Sequence, residues 1–156
     1  MGQKILVAMD DSENSMRAVD YLGKVFTRDH GITLFSVLMD TATICNMYSP
    51  ELTPYFASQQ SAFCNLESKN KELVEQAMEK ARKRLVAAGF DEKNIDIKVG
   101  IKKKGVARDI IAEAQQGYDT LVIGRRGISG LKEFFLGSVS HKVINTVKDL
   151  SIILVN

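Results

Sequence analysis

Five short apolar runs punctuate the chain: residues 4–9 (KILVAM), 32–39 (ITLFSVLM), 95–99 (IDIKV), 120–123 (TLVI) and 151–155 (SIILV). They are aliphatic or β-branched and nearly continuous, the pattern of strands covered on both faces. Between them the apolar spacing lengthens to three and four. Met16, Val19, Leu22, Val25 and Phe26 predict a helix over about 12–27 with Ser12 as its N-cap. Leu73, Ala77, Ala81, Leu85 and Ala88 predict a second over about 66–88, ended by Gly89. Val106, Ile110, Ile111 and Ala114 mark a third over about 106–116, and Val139, Val143, Ile144 and Val147 a fourth over about 138–147.

The resulting order is βαβαβαβαβ. Parallel strands need crossover connections and strict alternation supplies them, so the expectation is a doubly wound, five-stranded parallel sheet with helices on both faces. At 156 residues, one domain spanning 1–156 is expected, large enough to hold a core without a metal or a disulfide.

Residues 40–65 break this plan. They show no period and contain Pro50, Pro54, Tyr48, Tyr55, Phe56 and Phe63. A loop of that length is usually functional or mobile, and its place after the second strand puts it at the carboxyl edge of the sheet. Cys45 and Cys64 fall in it with no CxxC and no nearby histidine, and they are expected to be reduced thiols instead of metal ligands.

Charge narrows the partners. Lysine plus arginine minus aspartate plus glutamate is 21 − 19 = +2, too balanced for a nucleic-acid binder. Any basic function must be local, and Lys98, Lys102, Lys103, Lys104 and Arg108 do cluster. That cluster has two readings, a solvated loop or an attractor of phosphate. The N-terminal apolar run is far shorter than the roughly 18 residues of a membrane span, and the polar Asp10-Asp11 follow where a leader would need small residues. MGQKIL also lacks the hydroxyl wanted for myristoylation. A cytoplasmic protein without a membrane partner is expected.

In doubly wound sheets ligands bind beyond the carboxyl ends of the strands, where the strand order reverses. The segment after the fourth run is the glycine-rich one: Gly124, Gly127, Gly130 and then Gly137-Ser138. It is not a Rossmann loop, since Gly124, Gly127 and Gly130 read GxxGxxG and not GxGxxG. Gly100 and Gly105 have Walker A spacing, but Val106-Ala107 stand where the lysine and hydroxyl should be. Glycines that let amides approach closely, ending at a helix N-terminus, still fit an anion, with Arg125 or Arg126 adding charge; a plain turn is the other reading.

Gly124-x2-Gly127-x9-Gly137-Ser138 resembles the ATP-binding signature of the universal stress protein family. KILVAMDDSENS is similar to that family's first strand and loop, LFSVLMD to its second, and DTLVIGRRGISGLKEFFLGSVSHKVI with SIILV to its carboxyl third. The resemblance implies an adenine nucleotide alpha hydrolase-like, Rossmann-like sheet of order 3-2-1-4-5, with Asp10 and the Gly124 loop facing one crevice. It implies that Ala8, Met9 and Asp10 line adenine and ribose, with Asp10 on the sugar hydroxyls, and that Val37 touches adenine. Gly124, Arg126 and Gly127 would cradle phosphates, and Gly137, Ser138, Val139 and Ser140 would close on the phosphate chain. ATP is the implied ligand, with Mg²⁺ or Mn²⁺ held through its phosphates. Val37 also reads as strand core, and Asp10 as a helix N-terminal carboxylate.

Two departures from the family stand out: Lys102 to Gly105 lengthen the connection after the third strand, and the 40–65 segment exceeds the family minimum. Asp10, Asp11, Asp40 and His141 are the groups that could position a water, yet none sits in a known catalytic constellation, so at most weak ATP hydrolysis is expected. In the 3-2-1-4-5 order, residues 151–155 form an edge strand without charge or proline, which predicts a homodimer through that strand.

Overall fold

The computed structural model describes residues 2–46, 54–125 and 136–156. The five apolar runs become β1 (Lys4–Ala8), β2 (Gly31–Leu38), β3 (Ile95–Ile101), β4 (Thr120–Gly124) and β5 (Ser151–Val155). All neighbours pair in parallel, in the order β3-β2-β1-β4-β5. The helices are α1 (Glu13–Val25), α2 (Ala42–Cys45), α3 (Pro54–Ala87), α4 (Val106–Ala114) and α5 (Ser138–Thr146).

Alternate residues of each central strand feed two cores. Ile5, Val7, Leu34 and Val122 join Val19 and Leu22 of α1 and Met78 and Leu85 of α3. Leu6, Phe35, Leu121 and Ile123 join Ile110 and Ile111 of α4 and Val143 of α5 on the other face. Burial of this kind contributes about 1.5–3 kcal/mol for each large aliphatic side chain, and it is what fixes the sheet register.

Four expectations need correction. The strands are not all covered on both faces: in β3 only Ile95 is buried, and Ile97, Val99 and Ile101 are exposed at the sheet edge. The second helix begins at Pro54, not near residue 66, so much of the supposed irregular segment is helical. Proline suits a first helical position, where its missing N–H costs nothing. The early part of α3 hid from the pattern because it buries little, with Tyr55 and Phe56 exposed. Its stripe is also displaced, to Val74, Met78, Ala81 and Leu85, which leaves Leu73 exposed. Val25, Val106 and Ile144, expected to point inward, are likewise exposed.

The fourth correction is chemical. Cys45 and Cys64 are joined in a disulfide, with Cα atoms 5.9 Å apart, which ties α2 to α3. Spacing along the chain could not show this, because the long α3 is what returns Cys64 to Cys45. Residues 47–53, with Tyr48 and Pro50, lie outside the described residues.

Candidate functional site

β1 ends at the switch point and hands directly to α1. The Asp10 carboxylate turns back on that helix: its Oδ1 accepts from the Ser12 amide at 2.8 Å and from Ser15 Oγ at 2.7 Å. Ser15 Oγ in turn accepts from the Asp10 amide at 3.0 Å, and the Ser12 hydroxyl accepts from the Ser15 amide at 3.3 Å. The start of α1 is therefore served from within by an N-cap and a carboxylate, as a helix N-terminus favours. Among the described residues, the bonds to the Asp10 carboxylate use Oδ1.

The end of β4, beside β1, is built differently. The Arg125 amide donates to Val155 O at 2.7 Å, and the Gly137 amide donates to Arg125 O at 3.0 Å, so the chain returns to the strand end before α5 begins. Ser140 is buried and donates its hydroxyl to Gly124 O at 2.8 Å, locking the first turn of α5 to β4. A Cβ at Gly124 would lie 3.3 Å from backbone and side-chain atoms of Asn14, so this glycine serves the close approach of α1. Helix α5 starts on Gly137 with no side-chain cap. Among the described residues the amides of Ser138, Val139 and Ser140 have no hydrogen-bond acceptor, and the buried Nε of Arg125 has no partner.

The lysine-rich turn folds back on α4. The Lys102 amide donates to Leu38 O at 2.6 Å, and the Lys103 and Lys104 amides donate to the Asp109 carboxylate at 2.8 and 3.2 Å. Those bonds, the Lys103 one foremost, hold the Asp109 carboxyl below its ordinary range. Gly105 takes φ +134°, which favours glycine, and α4 starts on it without a side-chain cap. The three lysine side chains remain exposed. A cleft of about 410 Å³ lies between the starts of α4 and α5, lined by residues of both.

Of the residues expected to bind, Asp10, Gly124, Gly137, Ser138, Val139 and Ser140 stand at neighbouring strand ends and the helix starts that follow them. Arg126 and Gly127 lie outside the described residues. Ala8 and Met9 are buried on opposite faces, so their side chains are core, and the Met9 amide donates to Phe35 O at 2.8 Å. Val37 is half-buried against the α4 and α5 core. Asp40 accepts from the Ala42 amide at 3.2 Å and lines a separate cavity of about 520 Å³ beneath the disulfide. Exposed His141 faces Asn145, one helical turn on. Sequence reasoning missed Asp109 as the anchor of the lysine turn and Lys142 beside it; the acid just inside a glycine-started helix was the available signal for the first.

The sequence model of the Universal stress protein family matches residues 1–149. Universal stress protein YxiE of Bacillus subtilis is 31% identical over 150 residues, covering 92% of this chain and 92% of that one. Universal stress protein MJ0577 of Methanocaldococcus jannaschii is 43% identical over 81 residues, covering 50% of this chain and 47% of its own. The solved structure of MJ0577 superposes with a TM-score of 0.70 at 25% identity, covering 99% of this chain and 96% of that one. A universal stress protein in complex with cAMP shares the fold, with a TM-score of 0.65 at 20% identity and coverage of 99% and 97%.

Proposed function

The chain belongs to the universal stress protein family, and from that premise we propose that it is a regulatory module that binds ATP and acts as a homodimer in a stress response. One observation carries the reading: three amides at the start of α5 without an acceptor among the described residues, and the Arg125 Nε likewise without a partner, stand at the end of β4, the parallel neighbour of β1, which leads to Asp10. Residues of this kind fit a nucleotide. Amides at a helix start favour phosphate, and a carboxylate with an oxygen to spare suits ribose hydroxyls.

In this reading Asp10 meets the sugar, and the backbone of Ala8 and Met9 with Val37 borders the base. Gly124, Arg126, Gly127, Gly137, Ser138 and Val139 surround the phosphates, with Mg²⁺ or Mn²⁺ carried on the phosphates themselves. Ser140 contributes its amide, since its hydroxyl proton is committed to Gly124 O. ATP supplies a signal there, and the chain's own residues bind and orient it. A slow ATPase finds little support: Asp40 lies at the other cavity, and Asp11 and His141 are exposed. One domain over 1–156 is the simplest organisation consistent with the match.

The dimer is proposed through β5, an edge strand with Leu154 exposed and Ile152 and Ile153 only half-buried. Light scattering should give about twice the single-chain 17.3 kDa; a mass near 17.3 kDa overturns that part. Among the described residues no helix is long and apolar enough to cross a membrane. A cytoplasmic setting is retained, and the Cys45–Cys64 disulfide is the observation that pulls against it, because cytosolic thiols are normally kept reduced. To test nucleotide binding, the purified protein is heat-denatured and the supernatant analysed for released adenine nucleotide, with an ATP titration by calorimetry alongside. ATP in the supernatant or a saturable heat supports the reading, and neither result leaves it without a ligand.

A further inference from the structure

We propose that the cleft between the starts of α4 and α5 holds the outer phosphates of the nucleotide, and that Lys104, Arg108 and Lys142 make the protein count them. This rests on the nucleotide reading above and adds to it a specificity that the glycine signature does not contain.

Lys104, Arg108, Ser138 and Lys142 all line this cleft. The three cations are exposed, and among the described residues none of them has an acidic partner. Some positive side chains elsewhere do have acidic partners: Lys98 with Glu113 at 2.7 Å, Arg84 with Asp20 at 2.8 Å and Arg82 with Glu79 at 2.8 Å. The carboxylate nearest the lysine turn, Asp109, is occupied by the Lys103 and Lys104 amides. It therefore shapes the turn, and its charge is partly spent on those amides.

The backbone adds to the same field. Both helices bordering the cleft begin on glycine without a side-chain cap, and among the described residues the amides of Val106, Ala107 and Arg108 have no acceptor, like those of Ser138 to Ser140. Two helix N-termini and three unpaired cations around one opening make a strongly anion-favouring place. At the end of β4 the buried Arg125 Nε has no partner among the described residues. A nucleoside or monophosphate reaching the α5 start leaves the α4 side of this cleft without an anion. The terminal phosphates of a triphosphate carry the charge that three cations match.

The test is calorimetry with ATP, AMP and adenosine on the wild type and on Lys104→Ser/Arg108→Ser/Lys142→Ser, at low and high salt. Exposed substitutions of this kind leave a fold intact, which a thermal melt checks. The charge-keeping Lys104→Arg/Lys142→Arg serves as control. The wild type is expected to bind ATP at least about tenfold more tightly than AMP, with a preference that salt weakens. The triple variant should lose most of that preference and its salt dependence while adenosine affinity stays put, and the arginine variant should keep both. An unchanged ATP-to-AMP ratio in the triple variant overturns the proposal and leaves the nucleotide reading standing. Failure of all three ligands to bind the wild type overturns both.

Discussion

Two helices start at the carboxyl edge of the same sheet, behind neighbouring strands, and they treat their free amides in opposite ways. At the start of α1 the chain supplies its own anion: Ser12 caps the helix, and Asp10 accepts from the Ser12 amide and the Ser15 hydroxyl. At the start of α5 it supplies none, beginning on Gly137 with its first amides unanswered among the described residues. Both helices face the same macrodipole problem. The difference teaches that a helix start can be closed from within by serine and aspartate or left open on glycine, and the phosphate site proposed above uses the open one.

Variants can break that comparison, beginning with a control remote from both starts. Replacing Cys45 and Cys64 by serine removes a cross-link between residues 19 apart, worth about 3 kcal/mol in the chain-entropy account. At roughly 2–4 °C per kcal/mol for a chain of this size, the melting temperature should fall by about 6–12 °C with ATP affinity unchanged. A change in affinity would tie the α2 and α3 region to the site. Ser140→Ala is next: it strips the donor from Gly124 O in a buried place, at a cost of about 1–3 kcal/mol, and frees the first turn of α5. Stability and ATP affinity should fall together, read by melting and calorimetry.

Ser12→Ala acts on the closed start, and loss of this cap should cost about 1 kcal/mol. ATP affinity should barely move; a large loss would mean that α1 is part of the phosphate site. The smallest effect is a titration. The folded Asp109 carboxyl is held below the ordinary 3.8, so its contribution is present above that value and is lost as the pH falls through the lower folded one. The Lys103 and Lys104 amide resonances should titrate with a midpoint below 3.8, and Asp109→Asn should abolish that transition. A midpoint at or above 3.8 would show that the carboxylate does not hold the turn.

Most of the fold was legible because its signals were local. The apolar runs of β1, β2, β4 and β5 and the Ser12 cap follow from period and propensity, and they appear within a residue or so of where the sequence puts them. The first half of α3 was not legible, since a helix that buries almost nothing over its first turns has no stripe to read. Its invisibility also hid the Cys45–Cys64 pairing, which depends on that helix. The glycines and Ser138 directed attention to the carboxyl edge of the sheet, but the packing of Gly124 on Asn14 and the bond from Ser140 to Gly124 O are tertiary facts. The placement of Lys104, Arg108 and Lys142 around one cleft likewise depends on α4 lying beside α5.

The contrast between the two helix starts is tested most directly by backbone amide resonances on addition of ATP compared with adenosine. The difference between the two ligands isolates the phosphates. The account predicts that it is largest at Ser138, Val139 and Ser140 and small at Ser12 and Ser15. Equal or larger changes at Ser12 and Ser15, or no difference between ATP and adenosine at α5, would contradict it.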